Sequence, residues 1–166
     1  MPNKPIQRPD VGTTPGKLPV EVHLRNFPEK VRDLFELLDK RVKKISEEIW
    51  YKVTARPGVT YYSPERVFIY LRFQKRGLRL TIFTGGEKIE GVKIFGYQKG
   101  GAKWGRIHLR DGNQLENVAV ALKKSYELIK EAIKNNDPTG WYAGLEEETG
   151  EDNEEGSTTS DSLPRS

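Results

Sequence analysis

Cysteine is absent from this chain of 166 residues, and histidine occurs only at His23 and His108. The lack of cysteine excludes disulfides, thiolate metal sites and cysteine nucleophiles together. Neither histidine has an acidic residue or a second histidine at a metal-ligand spacing. We therefore expect no metal site and no cofactor. His108 belongs to a basic stretch, which favours a surface or binding role over metal ligation.

Two signatures of phosphate chemistry are also missing. Many DNA-cutting nucleases place an Asp or Glu two residues before a Lys on a strand, and no lysine here has an acid at that position. The glycine-rich stretch 100–105 contains Lys103 but lacks the following Ser or Thr of a phosphate-binding loop, and it leads into a strand. We therefore expect no catalytic residues. An enzyme acting on a phosphorylated small molecule through this loop and its lysines is left as a minor alternative.

Long apolar runs are missing as well. No run reaches 18 residues, and the first residues contain no apolar signal core. No membrane partner is expected. Together with the absence of cysteine, this favours a cytoplasmic location.

Large apolar side chains are sparse at both ends of the chain. Residues 1–19 contain five prolines, and residues 138–166 are rich in Glu, Gly, Ser and Thr. Such segments bury too little apolar surface to offset their ordering entropy, so both are predicted to be disordered tails. A single folded domain is expected over residues 20–137, long enough to form one core.

Charge is divided unevenly between these segments. Residues 138–166 hold eight acidic residues and one basic residue, a net of −7, so residues 1–137 carry +11 in a chain whose overall charge is +4. A strongly basic body attracts polyanions through a sequence-independent electrostatic term. The acidic tail is expected to compete for the same surface and to inhibit binding.

Two helices and a sheet are indicated by hydrophobic periodicity. Residues 67–84 form two alternating runs around a turn with Gly77, which is typical of an antiparallel hairpin. Further strands are expected at 49–54, 59–62, 92–95 and 106–110. An amphipathic helix follows Asn26 and Pro28, and a second begins near Asn113 and Glu116, which resemble a capping box. The fold class is therefore α+β: a mainly antiparallel sheet of four to six strands flanked by an N-terminal and a C-terminal amphipathic helix.

The hairpin's outer face is basic and aromatic. Alternation places Phe68, Tyr70 and Phe83 on that face, beside arginines, although a helix covering the same face would reduce what it offers. Basic residues interleaved with aromatic rings are typical of single-stranded nucleic-acid platforms. Tyr70 and Trp104 are the stacking candidates, although a tryptophan next to glycine also often closes the end of a small core, and this structural role is the one favoured for Trp104. The candidate phosphate contacts are Arg72, Lys75, Arg76, Arg79, Lys103, Arg106 and Arg110.

Residues 23–129 resemble an uncharacterised small domain, the "predicted transport protein" type known as domain of unknown function 5655. The resemblance rests on His23-Leu24, Leu34-Phe35 in the first helix, residues 73–80, Trp104-Gly105 and Ser125-Tyr126 in the closing helix. Because such domains occur beside DNA-processing modules, the resemblance implies an accessory binding role. We expect a non-catalytic nucleic-acid-binding domain. The alternative is a protein–protein adaptor of a DNA-processing or defence complex.

Overall fold

In the part of the chain that the structure describes, six antiparallel strands form one sheet, which two long helices cover on one face. A computed structural model describes residues 19–94 and 102–139. The helices are α1 (Pro19–Leu24), α2 (Glu29–Ile45) and α3 (Leu115–Lys134), and the strands are β1 (Trp50–Val53), β2 (Gly58–Tyr62), β3 (Val67–Phe73), β4 (Leu78–Phe83), β5 (Lys93–Ile94) and β6 (Trp104–Leu109). The strand order is β1-β2-β3-β4-β6-β5, with every neighbouring pair antiparallel. The predicted α+β class is confirmed. The predicted tails lie almost entirely outside the described residues.

Helix α2 forms because its apolar residues recur at three- and four-residue spacing. Val31, Leu34, Leu38 and Val42 are buried along this stripe. Pro28 occupies the N-cap position of α2 without a side-chain cap bond. The fixed φ of proline suits the start of a helix, which explains why α2 begins there.

The hairpin of β3 and β4 lies in the centre of the sheet. Leu71 pairs with Leu80, and Arg72 pairs with Arg79, so alternate residues lie on opposite faces. The apolar face packs against α2 and α3; for example, the Phe73 ring meets Phe35 of α2 edge-on at 5.3 Å between centroids. Both long helices therefore lie on one side, and the basic residues lie on the other.

A bulge in β3 corrects one prediction about the outer face. Tyr61 pairs with Ile69 while Tyr62 pairs with Val67, which leaves Phe68 as an extra residue. The Phe68 ring lies 5.5 Å from that of Tyr126 in α3 and is fully buried. The alternation rule put Phe68 on the basic face because it cannot register an inserted residue.

The entry to α3 is also capped differently from the prediction. A 3₁₀ turn at Gly112–Gln114 precedes the helix, and its capping box joins Asp111 with Gln114. The Gln114 side-chain oxygen accepts hydrogen bonds from the backbone N–H groups of Arg110 and Asp111, at 2.7 and 2.9 Å. The predicted pair Asn113 and Glu116 is therefore wrong, since the reciprocal bonds form two residues earlier. This cap fixes the direction in which the chain leaves β6.

Candidate functional site

Basic side chains line up in two rows on the sheet face turned away from α2 and α3. In the first row, Arg72 of β3 lies opposite Arg79 of β4, and Arg79 lies opposite His108 of β6. In the second, Arg106 of β6 lies opposite Lys93 of β5. We call this surface the cationic face, and its residues are Arg72, Arg79, Lys93, Arg106, His108 and Arg110.

His108 lies among these cations, and its pKa is lowered from 6.5 to about 4. Burial is the largest cause of the lowered pKa, and repulsion by neighbouring cations adds to it. The repelling groups are Arg110, Arg106, Arg79 and Lys93. The imidazole is therefore neutral at physiological pH, and it supplies one hydrogen-bond donor and one acceptor among cations.

More basic residues lie at both ends of the cationic face. Lys75 and Arg76 are exposed in the β3–β4 turn. This turn lies close to β6, because a Cβ on Gly77 would touch the backbone of Arg110. Lys103 lies at the opposite end, directly before β6. From residue 104 to 110 the extended chain rises about 20 Å, so the charges follow a line of about that length.

The two aromatic candidates differ in accessibility. Trp104 is only 1% exposed, with its ring centroid 5.4 Å from that of Phe83 and 5.5 Å from that of Tyr70. This burial favours a structural role for Trp104. Tyr70 is half-buried and lies between Thr60 and Thr81 in the strand register. Of the two, Tyr70 is the one placed to present part of a ring beside the cations.

Sequence reasoning missed three residues near this surface. Lys93 lies opposite Arg106, but its strand is two residues long and carries too little alternation to assign a face. Trp50 and Tyr62 stack at 4.3 Å between centroids with an interplanar angle of 8°. By register they share the face of Thr60 and Tyr70, at the β1 edge. Their pairing depends on the register of β1 against β2, which no local motif reveals.

Arg79 is brought to the centre of the cationic face but is only 8% exposed. Arg72 and Arg106 beside it are half-buried, whereas Lys75, Arg76, Lys93 and Arg110 are exposed. The accessible positive charge of this face therefore comes mainly from the exposed cations, and the central arginines add to it from a more buried position. Every predicted phosphate contact except Lys103 lies on this face or in the adjoining turn.

Metal-ligating clusters are not found in the described parts of the chain, where no three His, Cys, Asp or Glu side chains come together. Within residues 19–94 and 102–139, no helix is long and apolar enough to cross a bilayer. Comparisons with protein-family models, with curated proteins and with solved structures found no match. The resemblance to domain of unknown function 5655 stays a prediction from its motifs.

Proposed function

We propose that this protein binds nucleic acid without catalysing a reaction on it, and that the cationic face is the contact surface. The observation that carries this proposal is the alignment of like charges across strands, Arg72 with Arg79 and Arg106 with Lys93. Cations grouped in this way create a positive potential over the sheet face, and such a potential attracts a polyanion.

The shape of the charged surface favours a polymer over a small phosphorylated ligand. The basic residues extend in a line from the β3–β4 turn to the start of β6, whereas a single phosphate needs a compact pocket. Tyr70 of β3 adds a half-buried ring on the same face, two residues before Arg72. A backbone of regularly spaced phosphates matches a line of cations, and a base can stack on an aromatic ring.

Fluorescence anisotropy of labelled single- and double-stranded DNA and RNA over a salt series tests the proposal. Logarithmic affinity should fall with the logarithm of salt concentration, with a slope of about −0.7 to −0.9 per phosphate contact. A variant combining Lys75→Gln, Lys93→Gln and Arg110→Gln should flatten that slope by about 2 to 3. All three side chains are exposed, so the fold should be retained.

The matched control carries the same change in net charge on the helical side. Lys40→Gln, Lys44→Gln and Lys123→Gln alter three exposed lysines of α2 and α3. This variant should keep the slope of the unmodified protein. Equal loss in both variants, or no binding to any probe at low salt, would refute the assignment of the cationic face.

The alternative proposal is a protein–protein adaptor. The observation that favours it is the short edge strand β5, where both residues are exposed and Ile94 retains 51% of its accessible surface. An exposed strand edge accepts a strand from a partner. A stoichiometric protein partner that survives nuclease treatment and is lost on Ile94→Asp would favour the adaptor over nucleic-acid binding.

A further inference from the structure

The chain leaving α3 is held at the edge of the cationic face by three hydrogen bonds to its backbone carbonyls. Arg66 Nη1 donates to the carbonyl of Asp137 at 2.7 Å, and Lys103 Nζ donates to that of Pro138 at 3.2 Å. Trp104 Nε1 donates to the carbonyl of Thr139 at 3.1 Å. These bonds direct the chain from α3, on one side of the sheet, to the strand that carries Arg106 and His108.

This attachment places Thr139 beside Trp104 at the start of β6, so the distance from Thr139 to the cations can be compared with the length of chain that follows it. Trp104 is two residues from Arg106 and four from His108 along β6, or about 7 and 13 Å at the strand rise. Glu146 comes seven residues after Thr139. Seven residues span at most about 24 Å when fully extended. The first acidic residues therefore have the length to reach the middle of the cationic face.

The charges on either side are complementary. The sequence after Thr139 contains eight carboxylates and one arginine, and the face that it adjoins is formed by cations. Attachment to the same chain raises the effective concentration of these carboxylates at the face, so even weak ion pairing becomes competitive. A run of carboxylates resembles a phosphate backbone in its closely spaced negative charge.

We propose that the acidic segment 146–161 occupies the cationic face as an intramolecular polyanion, and that nucleic acid must displace it. This inference rests on the proposed function, because it describes the regulation of the same surface. The anchor at residues 137–139 distinguishes it from a general effect of an acidic tail, since it delivers the segment to this face and not to the helical side. Binding is thereby restricted to ligands whose charge density exceeds that of the segment.

Neutralising part of the segment in the full-length chain tests the inference. The variant carries Glu146→Gln, Glu147→Gln, Glu148→Gln and Glu151→Gln. If the segment covers the face in most molecules, weakening its hold should tighten nucleic-acid binding by at least about fivefold at about 50 mM salt. The difference should shrink as salt screens the internal contact.

The control changes net charge equally without touching the segment. It carries Glu29→Gln, Glu36→Gln, Glu47→Gln and Glu127→Gln, which alter exposed acids of the helical side. This variant should tighten binding by less than about twofold, because the acids lie on the side away from the ligand. If nucleic-acid binding tightens equally in both variants, net charge alone explains the change and the inference is overturned. It is also overturned if binding does not tighten in the segment variant.

A second measurement needs no nucleic acid. Carbodiimide cross-linking of the unmodified chain, read by mass spectrometry, should join acids of the segment to Lys93 and Lys103 more often than to Lys44 and Lys123. The preference should disappear at high salt. If no nucleic-acid probe binds, the proposed function fails and the cross-links alone decide the internal contact. Cross-links spread evenly over the four lysines would overturn the inference. If nucleic-acid binding nevertheless shows a steep salt dependence, the proposed function still stands.

Discussion

His108 makes folding stability depend on pH in a window that the structure defines. Its pKa in the folded protein is about 4, against 6.5 without burial and neighbouring cations. Between these values the unfolded chain takes up a proton on this ring and the folded protein does not. Stability is therefore complete above pH 6.5 and falls as the pH drops toward 4, where both states are protonated.

The magnitude depends on the width of that window. One proton taken up only by the unfolded state costs about 1.4 kcal/mol per pH unit, which bounds the full effect at about 3 kcal/mol. Because the His108 ring is only partly buried, solvent screens the neighbouring charges and the effect is smaller. We expect a loss of about 1.5 kcal/mol between about pH 7 and about pH 4.5 that is specific to His108.

Urea unfolding at several pH values across this range measures the loss. His108→Gln should lower the pH dependence of the free energy of unfolding by that amount, since a neutral amide cannot titrate. His23→Gln is the control: burial lowers the pKa of His23 as well, but its replacement leaves the contribution of His108 in place. The reasoning would be refuted by identical pH dependence in the unmodified protein and His108→Gln, or by an NMR titration placing the pKa of His108 near 6.5.

Two further predictions concern the scaffold. Gly58→Ala should lower the free energy of unfolding by at least about 2 kcal/mol, because a Cβ there would overlap the carbonyl oxygen of Leu71. Gly112→Ala should change the free energy of unfolding by less than about 1 kcal/mol, because the space around Gly112 is open. Urea denaturation of the two variants compares them directly, and equal stability would contradict the close approach of β2 and β3. Trp104→Phe should lower the free energy of unfolding by about 1 to 3 kcal/mol in the same assay, because it leaves a cavity beside Phe83 and removes the hydrogen bond to the carbonyl of Thr139. Unchanged stability would show that neither the ring contact nor the hydrogen bond stabilises the fold.

Much of the fold could be predicted because its elements carry strong periodic signals. The hairpin of β3 and β4 has alternating apolar residues over its whole length, and α2 has an apolar stripe at helical spacing. Each pattern reflects which side chains must leave water, and local spacing determines this. Helix α1 was not predicted, because its six residues are too short to display a stripe.

The candidate site was predictable in its residue types but not in its arrangement. Arg72 and Arg79 lie on one hairpin, so alternation alone places them together. The position of Lys93 beside Arg106 depends on β5 pairing outside β6, which is a long-range contact. The burial of Trp104 depends on Phe83, Tyr70 and the chain at Thr139, which come from three other parts of the sequence.

The sequence by itself determined the class of fold, the basic character of the body and the acidic character of the segment after residue 139. These properties depend on composition and on short-range periodicity, which need no knowledge of distant contacts. Only the tertiary structure decided that both long helices pack on one side of the sheet, so that the arginine rows share the other side. It also decided that the chain at Thr139 lies beside Trp104, at the end of those rows. Both outcomes depend on strand order and helix packing, in which residues far apart in sequence must exclude water together.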